Sequence, residues 1–528
     1  MRNFELPGRS PVYGTGGMAA TSHPLASLTA IETLKSGGNA VDAAVAAAGV
    51  LAVVEPHMTG IGGDCFVLYA PKGGGVVAYN GSGRSPAAAE LDWYLANGID
   101  RMPVIGPHAV TVPGAVEAWD RLVRDHGRKP FGELLAPAIR LAVDGSVVHP
   151  RVAWDWAGCE RLLAQTPETA ALYLHGGRAF RAGEIHRQEA LSATLAAIAE
   201  EGPSAFYEGE AAERMTATLA AYGGLHVAED FAAHRGNYVE PIATDYRGHR
   251  IYECPPNGQG LTALLMFNIL AGFDLEGSGS TDPRRLHLEA EAGRLAYRDR
   301  DRHVADPERA GIPVDGLLSE AYAADLRRHI DPARAMAGLP PARAPARSDT
   351  VYLAVVDGDG NAISFINSLF AMFGSAIADA RTGVLFQNRG SAFLIDRTHP
   401  NAIGPSKRSL HTIMPGMMAK DGAAAMPFGV MGGHYQPFGH VHLVTGVLDC
   451  GLDVQRAIDA PRIFHFGGAL ALEAGIPAEV AEALAAMGHA ICPAGAPLGG
   501  GQAVAIDRES GVLIGGSDPR KDGCALGY

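Results

Sequence analysis

Residues 341–365 read PARAPARSDTVYLAVVDGDGNAISF, and this stretch constrains the fold more than any other. Its first part closes a Pro-, Ala- and Arg-rich run over 332–349, which has too little apolar surface to pack and reads as a solvated tether. Its second part is an apolar run, TVYLAVVD, joined through GDGN to a second one, AISFINS. Such runs on either side of a Gly- and Asn-containing turn predict a buried β-hairpin. A tether that ends directly on a buried strand raises the question of what Ser348, Asp349 and Thr350 do at the join.

The rest of the chain falls into segments by pattern. Residues 18–56 predict two helices, with Pro24 near the first start, Gly37-Gly38 at its end and Asn39 capping the second, which stops near Glu55-Pro56. CFVLYA and VVAYN around PKGGG predict strands, so the opening is expected to run helix, helix, strand, strand. Residues 115–330 are mostly helical by periodicity, interrupted by an expected strand in DYRGHRIYECPP. Beyond the tether, GMMAKDGAAAMPFGVMGG and the pair QAVAID and GVLIGGSD repeat the strand–turn–strand style, with helices expected over about 437–450 and 476–488. Strands near both ends with helices between them predict an α+β fold layered helix, sheet, sheet, helix.

Composition narrows the function classes. The net charge of −14 argues against a nucleic-acid or anionic-membrane partner. The longest apolar run, AVDAAVAAAGVLAVV, is too short and Ala-rich to span a bilayer and contains Asp42. No apolar signal region is visible near Met1, so a cytoplasmic protein is expected. The six Cys show no C-x-x-C spacing and read as reduced thiols rather than a disulfide framework or zinc ribbon.

Several residues offer chemistry. Thr350 reads either as a β-branched strand opener or as a nucleophile. A Thr hydroxyl becomes useful beside a base, and a Thr at its own chain terminus carries one, its α-amino group. That amine has a pKa of about 7.7–8.0, so a fraction is free base near neutrality. The role requires a cut between Asp349 and Thr350, made by attack of the Thr350 hydroxyl on the Asp349 carbonyl. Gly432 and Gly433, after an apolar strand, read equally as a strand-end turn or as two backbone N–H donors for an oxyanion. Arg84 in NGSGRSP and Arg389 in QNRG read as carboxylate clamps or as loop arginines. His434, His440 and His442 have no common metal-ligand spacing and read as packing or hydrogen-bonding groups. PPNGQG lacks the Lys of a phosphate loop and reads as a turn before a helix, while YRDRDRH reads as a charged helix end. No Gly-x-Ser-x-Gly elbow is present.

Taken together, GGMAATSHPLAS, GGNAVDAAVAAAGVLAVVEPHMTGIGGDCF, LAPAIRLAVDG, PPNGQG, DTVYLAVVDGDGNAISFINS, NAIGPSKR, AIDAPR and GGSDPRKDG occur in an order that resembles the γ-glutamyltransferase family of N-terminal-nucleophile hydrolases. The resemblance covers nearly the whole chain. It implies a four-layer αββα sandwich and a self-cleaving precursor: a large subunit, 1–349, and a small one, 350–528, forming one domain. Two such heterodimers pairing into a homodimer would be compatible with it. It implies no metal or organic cofactor. By motif position Thr350 matches the nucleophile, Ser368 a second hydroxyl that assists it, and Gly432 and Gly433 the oxyanion pair.

The departures concern substrate. Where transpeptidases carry an Arg four residues before a Pro, this chain has Ser82, with Arg84 two residues along. Phe370 stands for an expected Asn, Ala392 for an Asp that meets the glutamyl amino group, and His411-Thr412 for a Ser-Ser pair. The glutamyl-head contacts are thus replaced. The pattern is more similar to the branch that includes oxamate amidohydrolase, whose small carboxylate amide would suit Arg84, Arg389, His411 and Thr412. The rival expectations are a γ-glutamyltransferase acting on glutathione, a metal-dependent hydrolase built on the His cluster, and a non-catalytic relative.

Overall fold

Every residue from Val351 to Val356 is buried, which only a strand covered on both faces achieves. The computed structural model describes residues 4–5, 8–338 and 348–528, with the side chains of 348 and 349 excepted. Half of the expected tether, 339–347, therefore lies outside the described residues. The strand Ser348–Asp357 and its partner Ala362–Ala371 form the expected hairpin around residues 358–361.

This hairpin is the middle of a seven-stranded antiparallel sheet. The order is Cys524–Gly527, Gly17–Thr21, Ser348–Asp357, Ala362–Ala371, Asp64–Ala70, Val77–Gly81, Asn237–Val239. A second seven-stranded sheet runs Val12–Gly14, Val512–Ser517, Gly500–Asp507, Ala423–Met431, Gly416–Lys420, His249–Glu253, Ile242–Tyr246. Side-chain alternation assigns the layers. Tyr352, Ala354 and Val356 pack between the sheets with Met417, Met431 and Val504. Val351, Leu353 and Val355 point the other way, into helices Pro24–Lys35, Ala40–Val54 and Phe131–Asp144. Helices Gly260–Leu270, Pro283–His303 and Gln436–Leu448 cover the outer face of the second sheet. The result is the α+β sandwich of four layers.

Local chemistry explains the joints. Asn39 and Asp42 form a reciprocal capping box at the start of Ala40–Val54. Asp357, at the end of the central strand, accepts a 3.0 Å bond from the Ala40 N–H, so strand end and helix start share a carboxylate. The expected opening needs correction: two strands, Val12–Gly14 and Gly17–Thr21, precede the two helices. The expected strand near residue 250 is a hairpin of two, Ile242–Tyr246 and His249–Glu253. The hairpin Ile463–Phe466 with Ala469–Leu472 had no expectation attached. Among the described residues, no helix is long and apolar enough to cross a membrane.

Close packing reaches the end of the central strands. A Cβ at Gly63 would stand 2.4 Å from the Ser368 carbonyl oxygen, and backbone cannot move aside there. Gly63→Ala should therefore cost about 2 kcal/mol by overpacking. A thermal unfolding midpoint equal to that of the parent chain would contradict this packing.

Candidate active site

The bulge in the central hairpin lies between Asp349 and Val351, so Thr350 sits at the break in the ladder. Its Oγ1 is 3.1 Å from Ser368 Oγ on the neighbouring strand. Both residues are fully buried. Ser368 Oγ also accepts from the Phe370 N–H at 2.8 Å and from Arg389 Nη2 at 3.2 Å. Phe370 has φ 80°, in the left-handed region that a bulky side chain avoids, and such strain gathers at functional sites.

Arg389 organises the next shell. Its Nη1 donates to Thr412 Oγ1 at 2.8 Å, and its guanidinium lies 4.2 Å from the centre of the Phe370 ring. Among the described residues its buried Nε has no hydrogen-bond partner. Burial lowers its pKa to about 9, with the Asp64 charge opposing, so it remains a cation at neutral pH.

That opposing charge is itself built in. His411 Nε2 stands 3.0 Å from Asp64 Oδ2, and Gln387 Nε2 and the N–H groups of Gly83 and Gly114 donate to Asp64 Oδ1. The Ile413 N–H donates to His411 Nδ1, which leaves the His411 proton on Nε2, facing Asp64. Burial alone would raise the Asp64 carboxyl; the His411 hydrogen bond, with the cationic field of Arg389 and the Gln387 bond, outweighs it and holds the group below the ordinary range. Burial, then repulsion from Arg389, pushes His411 down to about 3 against the Asp64 contact, so the ring is neutral.

The second sheet carries the turn at Gly432 and Gly433. Gly432 (φ 119°) and Gly433 (φ 56°) turn the chain from the strand Ala423–Met431 into helix Gln436–Leu448. A positive φ at both positions favours glycine. Gln259 ties this turn to the Thr412 segment, donating to the Gly433 carbonyl at 2.9 Å and the Thr412 carbonyl at 2.7 Å. Arg300 in turn donates to Gln259 Oε1 at 3.1 Å and to His434 Nδ1 at 3.0 Å, and pairs with Asp301 at 2.6 Å. Burial first, then the cations Arg300 and Arg389, hold His434 well below its ordinary pKa.

Beside these groups opens a cavity of about 560 Å³. Its wall includes Met102, Arg300, Asp301, Phe370, Ala392, Phe393, Leu410 and His434. Thr350, Ser368, Arg389 and Thr412 thus form one connected cluster, with His411 on Asp64 beside it and the Gly432–Gly433 turn tied to the Thr412 segment through Gln259. Arg84 is not in the cluster: its guanidinium pairs with Glu308 at 2.8 Å and Asp306 at 3.5 Å. His440 and His442 go to different carboxylates, Glu253 and Glu289. Asp64 and Gln259 had no role attached to them, although both lie in quoted motifs, GGDCF and PPNGQG. Arg300 sits in the expected charged helix end, yet it also reaches the His434 turn, and nothing in its spacing signals that.

An αββα sandwich with a buried Thr beside a second hydroxyl, near the start of its central strand, fits one class, the N-terminal-nucleophile hydrolases. The chain belongs to the γ-glutamyltranspeptidase family, whose model matches residues 26–528. It is an amidohydrolase of that family. The glutathione hydrolase-like YwrD proenzyme of Bacillus subtilis (strain 168) is 40% identical over 98% of this chain and 99% of its own. The oxamate amidohydrolase proenzyme of Klebsiella pneumoniae subsp. pneumoniae is 35% identical over 97% of this chain and 99% of its own. The crystal structure of a cephalosporin acylase from Bacillus halodurans superposes with a TM-score of 0.93 at 40% identity, covering 100% of this chain and 99% of that one.

The neutral buried histidines set a pH dependence. A folded-state pKa of about 3 for His411, below the ordinary value of 6.5, means that the folded chain binds fewer protons than the unfolded one. The stability this contributes is present above pH 6.5 and is lost as pH falls toward 3. His23, His226 and His234 shift the same way, chiefly by burial. The urea unfolding midpoint should therefore fall between pH 7 and 5, and His411→Asn should flatten part of that slope. A midpoint that does not move over this range would overturn the neutral-imidazole picture.

Proposed function

We propose that the chain is a precursor that cuts itself between Asp349 and Thr350 and then hydrolyses the amide of a small carboxylate-bearing acyl group, oxamate being the best candidate. In the first step Thr350 Oγ1 attacks the Asp349 carbonyl carbon, the C–N bond breaks and an ester forms. Water hydrolyses that ester, leaving a carboxylate on Asp349 and a free amine on Thr350. The amine then serves as base for the same residue's hydroxyl, a proximity no second residue has to supply. In the enzymatic step Thr350 Oγ1 attacks the substrate carbonyl, the N–H groups of Gly432 and Gly433 hold the oxyanion, ammonia or an amine leaves, and water releases the acid.

The observation that carries the substrate reading is Arg389. It is a buried cation one contact from Ser368, with no carboxylate at ion-pair distance among the described residues. An unpaired buried charge is costly, and a substrate carboxylate would relieve it. In the uncut chain Ser348 and Asp349 pair with Ala371 and Phe370. Cleavage would free that edge, which belongs to the cavity wall. Arg84 is a poor clamp because Asp306 and Glu308 already occupy it. A glutamyl head fits less well at Phe370 and Ala392, the positions that would answer its amino group, because both are apolar; the wall's carboxylates are Asp100, Asp301 and Asp396, of which Asp301 is engaged by Arg300.

One observation favours a second reading. The cavity is larger than a two-carbon amide needs, and Met102, Phe393 and Leu410 would suit an acyl or amine substituent. Longer carboxy-acyl amides are therefore the alternative substrates.

Two measurements test the proposal. A denaturing gel with terminal sequencing should show chains beginning at Met1 and Thr350, and Thr350→Ala should give one uncut, inactive chain. A parent chain that stays uncut on long incubation sinks the mechanism. On processed enzyme, a panel of oxamate, a glutaryl amide and a γ-glutamyl anilide should show turnover of the first or second. Arg389→Gln should lower kcat/KM on them by about 100-fold, the size of losing a charged buried contact. Turnover of the anilide alone would refute the substrate class.

A further inference from the structure

Away from this site, His287, Glu291 and His489 bring their ligand atoms within 4.8 Å of one another, all three buried. His287 and Glu291 are four residues apart on the helix Pro283–His303 and share a face. His489 comes from the turn after the helix Ala478–Ala486.

The hydrogen bonds show which nitrogens can hold an ion. His287 Nε2 lies 2.8 Å from the Asp331 carbonyl, which can only accept, so Nε2 carries the proton and Nδ1 presents a lone pair. That Nδ1 is 2.8 Å from His489 Nε2, which must then donate. His489 Nδ1 is buried with no partner among the described residues. Moving the His489 proton from Nε2 to Nδ1 leaves both rings neutral and turns the two facing nitrogens into lone pairs. Glu291 is held by outer contacts, accepting from the Met336 N–H at 2.6 Å and from Arg294 at 2.8 Å. These orient the carboxylate as partners of metal ligands do, while the Arg294 charge weakens it. His465, whose ring centre is 6.2 Å from that of His489, is the nearest further imidazole.

We propose that His287, Glu291 and His489 bind one first-row transition-metal dication of the zinc or nickel type. Two imidazoles and one carboxylate select such ions over Mg²⁺ and Ca²⁺, which prefer oxygen donors. His287 and Glu291 lie thirteen and nine residues from Arg300 on one helix, roughly 20 and 14 Å at 1.5 Å per residue, so the ion takes no part in the amide chemistry. Its place suggests a staple. Two ligands precede the Asp349–Thr350 junction and one follows it; Asp331 stands just before the expected tether and Met336 in its described part. The staple role rests on the cut proposed above; the binding of the ion does not.

Full-length protein stripped with a chelator and dialysed should take up one equivalent of Zn²⁺ by calorimetry and give visible d–d absorption with Co²⁺, with no response to Mg²⁺. His489→Asn and Glu291→Gln should each weaken Zn²⁺ binding at least about tenfold, as loss of even an outer partner can. Circular dichroism of the metal-free variants checks that they are folded. No stoichiometric uptake by the parent chain, or uptake that survives in both folded variants, overturns the proposal. Failed uptake with normal Thr350 cleavage would leave the functional reading standing.

Discussion

From Thr350 to Asp357 and from Ala362 to Ala371 the central hairpin has no face in water, and the rest of the molecule is arranged around that constraint. One face needs a second sheet and the other needs helices, which makes four layers the solution. The helix Ala40–Val54, buried over all its residues, can lie between the sheet and a further helix only because it is so rich in Ala. Asp357 links the two directly by capping that helix from the strand end.

Burial at the strand ends also creates the chemistry. A charge such as Arg389 would be unremarked on a surface. Placed between Ser368, Thr412 and the Phe370 ring, with Asp64 as its distant counter-charge, it becomes the strongest electrostatic feature beside Thr350. Asp64 stays ionised through its four donors, and one of these is a histidine that burial keeps neutral. The same low dielectric thus retains charge on two groups and removes it from a third, according to which hydrogen bonds each one finds.

Legibility followed local signal. The central hairpin, the Asn39 cap and the helices of the middle segment were plain because turn residues and periodicity act over a few positions. Gly17–Thr21 escaped because the run GMAAT carries no alternation, and it is a strand only through its neighbours Ser348–Asp357 and Cys524–Gly527. Thr350, Ser368, Gly432 and Gly433 were nameable by motif position, whereas the partners that hold the site together were not. Gln259 reaches carbonyls 153 and 174 residues further along the chain. Arg84 and Arg389 looked equivalent as loop arginines, and only their surroundings separate them: Asp306 and Glu308 for one, two hydroxyls and an aromatic face for the other.

By itself the sequence determined the layered α+β class, the buried hairpin that carries Thr350 and the apolar residues Phe370 and Ala392, because each is a property of residue type and near neighbours. Tertiary structure alone decided which arginine stands by the two hydroxyls, that His411 is neutral and bonded to Asp64, and that His287, Glu291 and His489 converge. Those outcomes depend on burial and on distances across the sandwich, which no local pattern encodes.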